Sequence, residues 1–166
     1  MQNSPIARTA RLLRFAVLIA MLLVVAIYLA GRFGIAAGPV RVESALFRVG
    51  GIGPWIADLA IILFTLALWQ LAKMLSAIAS GPIFAPPVTA SFRNFALLLF
   101  LSTLVDVLAL PLIAVIQATA GPGHAAIALK FELRDLMLLA GSLFLFLLAR
   151  MMDQARAYEA ELEEIV

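Results

Sequence analysis

Four long apolar runs, separated by segments rich in Gly, Pro and charge, set the pattern of this chain of 166 residues. The first run, FAVLIAMLLVVAIYLA from Phe15, follows a polar start carrying Arg8, Arg11 and Arg14. A basic start before an apolar run also opens secretory signals. This run exceeds the ~7–15 residues of a signal's apolar region and approaches the ~20 that a spanning helix needs. The length favours a retained span over about 12–31, and three more spans follow it.

The second span covers 55–80, with Trp55 at one interface and Lys73 near the other. An indole ring sits well among headgroups, and an ammonium snorkels towards them. Gly81-Pro82 ends this span, and the linker GPIFAPPVTAS is broken again by Pro86-Pro87. Thr89 or Ser91 can then cap the third span, 92–120, which Gly121-Pro122-Gly123 terminates. The fourth span covers 135–152 and passes into ARMMDQARAYEAELEEIV with no stop signal at the junction. The pattern predicts one helix that leaves the bilayer and continues in water over 153–166. The connector between the first two spans alternates apolar and polar residues, with Val40 and Val42 on one side and Phe47 and Val49 on another. A short β-hairpin over 40–49 and a coil on the membrane surface are both open there.

Composition agrees with this pattern. The chain is 64% hydrophobic with a mean hydropathy of +1.09, whereas soluble domains are roughly 45–50% apolar. Lipid has to be the solvent for much of it. The expected fold is all-α: a single polytopic membrane domain over 1–166, a four-helix bundle with the last helix extended into the cytoplasm. There is no Cys and only one His, which excludes disulfides, thiolate catalysis, Cys-ligated metals and multi-His metal sites. No nucleophile–base pair or cofactor fingerprint occurs, so neither an enzyme nor a bound cofactor is expected. Gly31–Gly34 and Gly50–Gly53 resemble phosphate loops in composition only, since no GKS or GKT follows. A net charge of +2 is too small to point to direct nucleic-acid binding.

Charge also orients the spans. With the N-terminus inside, one side holds Arg8, Arg11, Arg14, Lys73, Arg93, Arg150 and Arg156, and the other holds Arg32, Arg41, Arg48, Lys130 and Arg134. The larger set and the N-terminal cluster place both termini in the cytoplasm under the positive-inside rule. The expected location is the bacterial cytoplasmic (inner) membrane.

Few polar residues fall inside the spans. Counted from Phe95, Asp106 lies about 16 Å along its helix, near the middle of a hydrocarbon core of roughly 30 Å. A carboxyl there has to face the bundle interior or be protonated. Thr65 and Ser142 are expected at a similar depth. A titrating switch and a hydrogen bond that fixes packing are the two readings of Asp106, and Pro111 just beyond it frees a backbone carbonyl. Asp58 reads as an interfacial residue near a helix N-terminus, favoured by the macrodipole. Gln70 and Gln117 can bond across helices, His124 reads as a surface histidine, and Gly141-Ser142 allows close helix approach.

The terminal helix carries a seam. Met151, Ala155, Tyr158, Leu162 and Ile165 are spaced four, three, four and three, with Asp153, Arg156, Glu159, Glu161 and Glu163 off the seam. Two heptads suit a docking contact with a protein, packing on the chain's own linker, or a solvated end. The glutamates disfavour lying on an anionic leaflet.

The GPIF segment, the start of the third span around Arg93 and the stretch FELRDLMLLAGSLFLFLLARMMDQARAYEAELEEIV together resemble a family of small bacterial four-span proteins, known as domain of unknown function twenty-nine seventy-five. The matching positions are Gly81, Ile83 and Phe84, then Gly141, Glu159, Leu162 and Val166. The chain has APPVTAS where that family is polar and basic. Family members are often encoded beside a small helix-turn-helix regulator of the Cro type. The resemblance therefore implies an integral membrane protein of regulatory or interaction type, partner or sensor for such a regulator. The alternative from the residues is a small transporter or proton-coupled carrier using Asp106. The expected partners are the bilayer, a cytoplasmic protein at the C-terminal helix, and a second copy of the chain.

Overall fold

A computed structural model of the chain describes residues 5–33, 51–80, 86–120 and 133–163. All four segments are helical: α1 Pro5–Arg32, α2 Gly53–Ser80, α3 Pro86–Ala120 and α4 Leu133–Glu163. Among the described residues there is no strand; the stretch 40–49, expected as hairpin or coil, lies outside them. Each helix is long and apolar enough to cross a bilayer, over Arg8–Arg32, Gly53–Ala79, Pro86–Ile116 and Leu133–Ala155. The chain is a multi-pass membrane protein.

The helices start earlier than the apolar runs suggest. Proline explains two of the starts. Pro5 opens α1 and Pro86-Pro87 open α3, where a missing N–H is no loss and a fixed φ suits the first turn. The two prolines expected to break the linker before α3 therefore begin the helix. Thr89 and Ser91, expected as caps, lie inside it, and the Thr89 hydroxyl donates back to the Pro86 carbonyl at 3.2 Å. Gly51, at φ 58°, sets the turn that leads into α2. Pro111 sits inside α3 without ending it, although its ring nitrogen has no hydrogen to give the Val107 carbonyl.

The bundle is packed in chain order. α2 and α3 share the most extensive contact, α1 lies on α2, and α4 lies on α3; non-consecutive helices hardly approach. The seams are built from small residues. Among the described residues, seven of the ten buried hydrophobic ones are alanines, including Ala57, Ala67, Ala96, Ala109 and Ala149, and most large side chains face outward, with Leu22 71% and Phe144 65% exposed. In lipid, bringing large apolar groups together has no hydrophobic reward, whereas small residues let backbones approach.

Hydroxyls divide into two kinds. Thr65, Thr103 and Ser142, like Thr89, donate to carbonyls of their own helices, at Ile61, Leu99 and Leu139. Ser102 reaches across instead, donating from α3 to the α2 carbonyl of Ala60 at 2.9 Å, and its side chain is buried. Gly141, expected at a close approach, is exposed, and a Cβ there would meet nothing within 4 Å. The buried member of that pair is Ser142, at 3% exposure.

Three substitutions have expected effects on unfolding in detergent. Ser102→Ala costs about 0.6 kcal/mol, a typical interhelical bond in a membrane. Ser102→Leu costs more, about 1–3 kcal/mol, because it overfills a tight seam. Gly141→Ala raises stability by about 0.5–1 kcal/mol, since helix propensity improves with no clash. Equal effects of the two Ser102 substitutions would remove the close seam from the account.

Candidate functional site

Polar groups collect at two levels along the helix seams. At one level, Tyr28 and Arg32 stand four residues apart on α1 and so share a face. Across the seam, Asp58 on α2 accepts a hydrogen bond from the Tyr28 hydroxyl, and Arg32 Nε lies 3.5 Å from the same carboxylate oxygen. The Tyr28 ring packs on the buried cluster of Ala57, Ala109 and Ile113. Its apolar body is thus held by α2 and α3 while its hydroxyl meets the acid. A cavity of about 690 Å³ opens beside this group, running along α2 from Trp55 past Leu59 and Ile62 to Leu66, with Val25 and Leu29 on the α1 side. Among the described residues its lining is apolar apart from Tyr28, Asp58 and Thr65.

At the other level, Arg14 on α1 donates to the Ser76 hydroxyl of α2 at 3.1 Å. The Lys73 ammonium lies 5.9 Å above the Trp69 ring. Arg14, Leu18, Trp69, Ala72, Lys73 and Ser76 line a second cavity of about 520 Å³. Arg93 of α3 meets Asp153 of α4 at 3.3 Å at the same end of the bundle.

The two levels match a bilayer. Arg14 and Arg32 are eighteen residues apart, as are their partners Ser76 and Asp58, and as are Asp135 and Asp153 on α4. Eighteen residues of helix span about 27 Å, close to a hydrocarbon core of roughly 30 Å.

The sequence-predicted intramembrane group is rearranged. The Ser102–Ala60 bond puts Asp58 level with position 104 of α3; the Phe100–Phe146 ring pair puts Ser142 level with the same position. Asp106 is thus within about 3 Å in depth of both Asp58 and Ser142, while Thr65 is about 13 Å away. The expectation that Thr65 shares its depth is corrected, because α3 begins at Pro86 and Asp106 lies twenty residues along it. Asp106 is also exposed rather than turned into the bundle. Arg134 and Asp135, at the start of α4, are the charges whose field reaches it. It lines neither cavity. Asp58, expected as an interfacial residue near a helix N-terminus, lies five residues into α2 and also anchors a helix seam. The signal for that was the pairing of Tyr28 with Arg32 at helical spacing, just before the first acid of the next span.

On α4, Met151 is 65% exposed and Ala155 is exposed. Tyr158 and Leu162 fall within the helix, and Ile165 lies outside the described residues. Among the described residues no group of three His, Cys, Asp or Glu could hold a metal ion. Comparison with protein-family models, with curated proteins and with solved structures finds no match. Of the family-like positions, Gly141, Glu159 and Leu162 lie in α4, while Gly81, Ile83, Phe84 and Val166 are outside the described residues.

The Tyr28–Asp58 bond is open to a double-mutant cycle in reversible detergent unfolding. Tyr28→Phe should cost about 1.5–3 kcal/mol in the wild-type background, as for a hydrogen bond to a charged group. In an Asp58→Ala background it should cost almost nothing. Additive effects would mean that the hydroxyl and the carboxylate stabilise the seam independently.

Proposed function

We propose that this chain is an integral membrane protein of regulatory or interaction type, which offers its last helix to a soluble partner. One observation carries the reading: α4 runs unbroken from Leu133 to Glu163. Asp153 lies at the level of the polar contacts near both termini, and ten further helical residues extend about 15 Å past it. A helix that passes beyond the hydrocarbon has no lipid reason to stay helical, and a contact in water supplies one. The exposed Met151 and Ala155 begin the seam that continues through Tyr158, Leu162 and Ile165.

The positive-inside count favours the cytoplasmic side for this extension and for both termini, and the family resemblance favours a bacterial inner membrane. The likeness to the domain-of-unknown-function family suggests a small helix-turn-helix regulator as the partner. The carrier reading has less support, since Asp106 lines neither described cavity.

The test is co-purification in mild detergent of the tagged full-length chain with a small helix-turn-helix regulator of the Cro type. Ending the chain after Ala155 keeps the Arg93–Asp153 ion pair and removes the rest of the seam. That truncation should reduce recovered regulator at least about tenfold, as loss of a central anchor does, and Leu162→Glu should do the same. Undiminished recovery with both variants would sink the docking role.

A further inference from the structure

We infer that the cavity between α1 and α2 formed by Arg14, Lys73 and Ser76 is a binding site for the phosphate of an anionic glycerophospholipid. Two other seam cations are neutralised by carboxylates. Arg32 meets Asp58 and Arg93 meets Asp153. Arg14 meets a hydroxyl, Ser76, and Lys73 meets the face of Trp69. Among the described residues no carboxylate lines their cavity, and none forms an ion pair with either cation. Two positive charges on adjacent helices thus share a space of about 520 Å³ with no carboxylate of the described residues beside them.

Their position decides the chemistry of the missing anion. Arg14 and Ser76 are each eighteen residues from Arg32 and Asp58, which is about 27 Å of helix. The cavity therefore lies at headgroup depth, at the end of the bundle that carries both termini. Its lining is divided accordingly, with Arg14, Lys73 and Ser76 polar and Leu18, Trp69, Ala72 and Ala77 apolar. A phosphate suits the guanidinium fork and the ammonium, and the glycerol and upper acyl segments suit the apolar wall. Basic pockets between membrane helices take acidic headgroups on the same grounds.

The chain's two tryptophans make the site directly readable. Trp69 lines this cavity and Trp55 lines the other one. The full chain carrying Trp55→Phe is reconstituted in dioleoylphosphatidylcholine vesicles. A rising fraction of the lipid is replaced by chain-brominated phosphatidylglycerol or, separately, by chain-brominated phosphatidylcholine, and quenching of Trp69 is followed. The phosphatidylglycerol should bind at least about fivefold more tightly, given two basic contacts near the surface. The preference should vanish in Arg14→Gln/Lys73→Gln and persist in Arg93→Gln, which removes a cation from the same end. Trp55, read in a Trp69→Phe chain, should show no preference. Equal quenching of Trp69 by the two lipids overturns the proposal without need of any charge variant, and so does a preference that survives the double substitution. Loss of the preference on adding millimolar inorganic phosphate keeps the phosphate site but overturns the lipid as its source.

Discussion

A charge can stand near hydrocarbon only if something neutralises it or lets it reach water. That constraint organises this molecule more than any apolar contact. Three helices keep charged or polar groups eighteen residues apart, and the seams between helices are closed where those groups lie. At one level Asp58 draws Tyr28 and Arg32 onto α2. At the other, Arg14 reaches Ser76 and Arg93 reaches Asp153. Between the levels, among the described residues, buried small side chains, the Ser102 hydroxyl and the Phe100–Phe146 ring pair join the helices.

Much of the fold was legible in the sequence, because a membrane imposes its demand on length and composition directly. Four apolar runs of spanning length had one sensible reading, and four spanning helices are present. Helix starts were less legible. Proline reads as a breaker in a linker and as a good opener in a first turn, and only the surrounding backbone distinguishes the two; Pro86-Pro87 proved to be openers. That early start also displaced the depth assigned to Asp106, since depth had been counted from a residue inside the helix.

The polar sites were less legible still, for a related reason. Depth in a span can be counted along one helix, but pairing depends on rotation and on which helices are neighbours. Asp106 stood out as an acid far from the ends of its run, yet it is exposed and joins neither cavity. Asp58 looked ordinary because its two partners belong to another helix. Gly141 suggested close approach by its residue type, but the small residues that do the packing on α4 are Ser142 and Ala149. The C-terminal helix was legible in its continuity, as α4 bears out to Glu163.

The order of packing has a consequence for how the protein is made. Among the described residues every substantial contact joins a helix to the one before it in the chain. A helix entering the membrane during synthesis therefore finds its partner already in place, and none has to wait for a segment not yet translated. Each contact closes only the connection between successive helices, five residues before α3 and twenty before α2, so assembly is local by the same reasoning that makes low-contact-order folds quick. The last helix enters against α3 alone, and the three before it are already packed when it arrives.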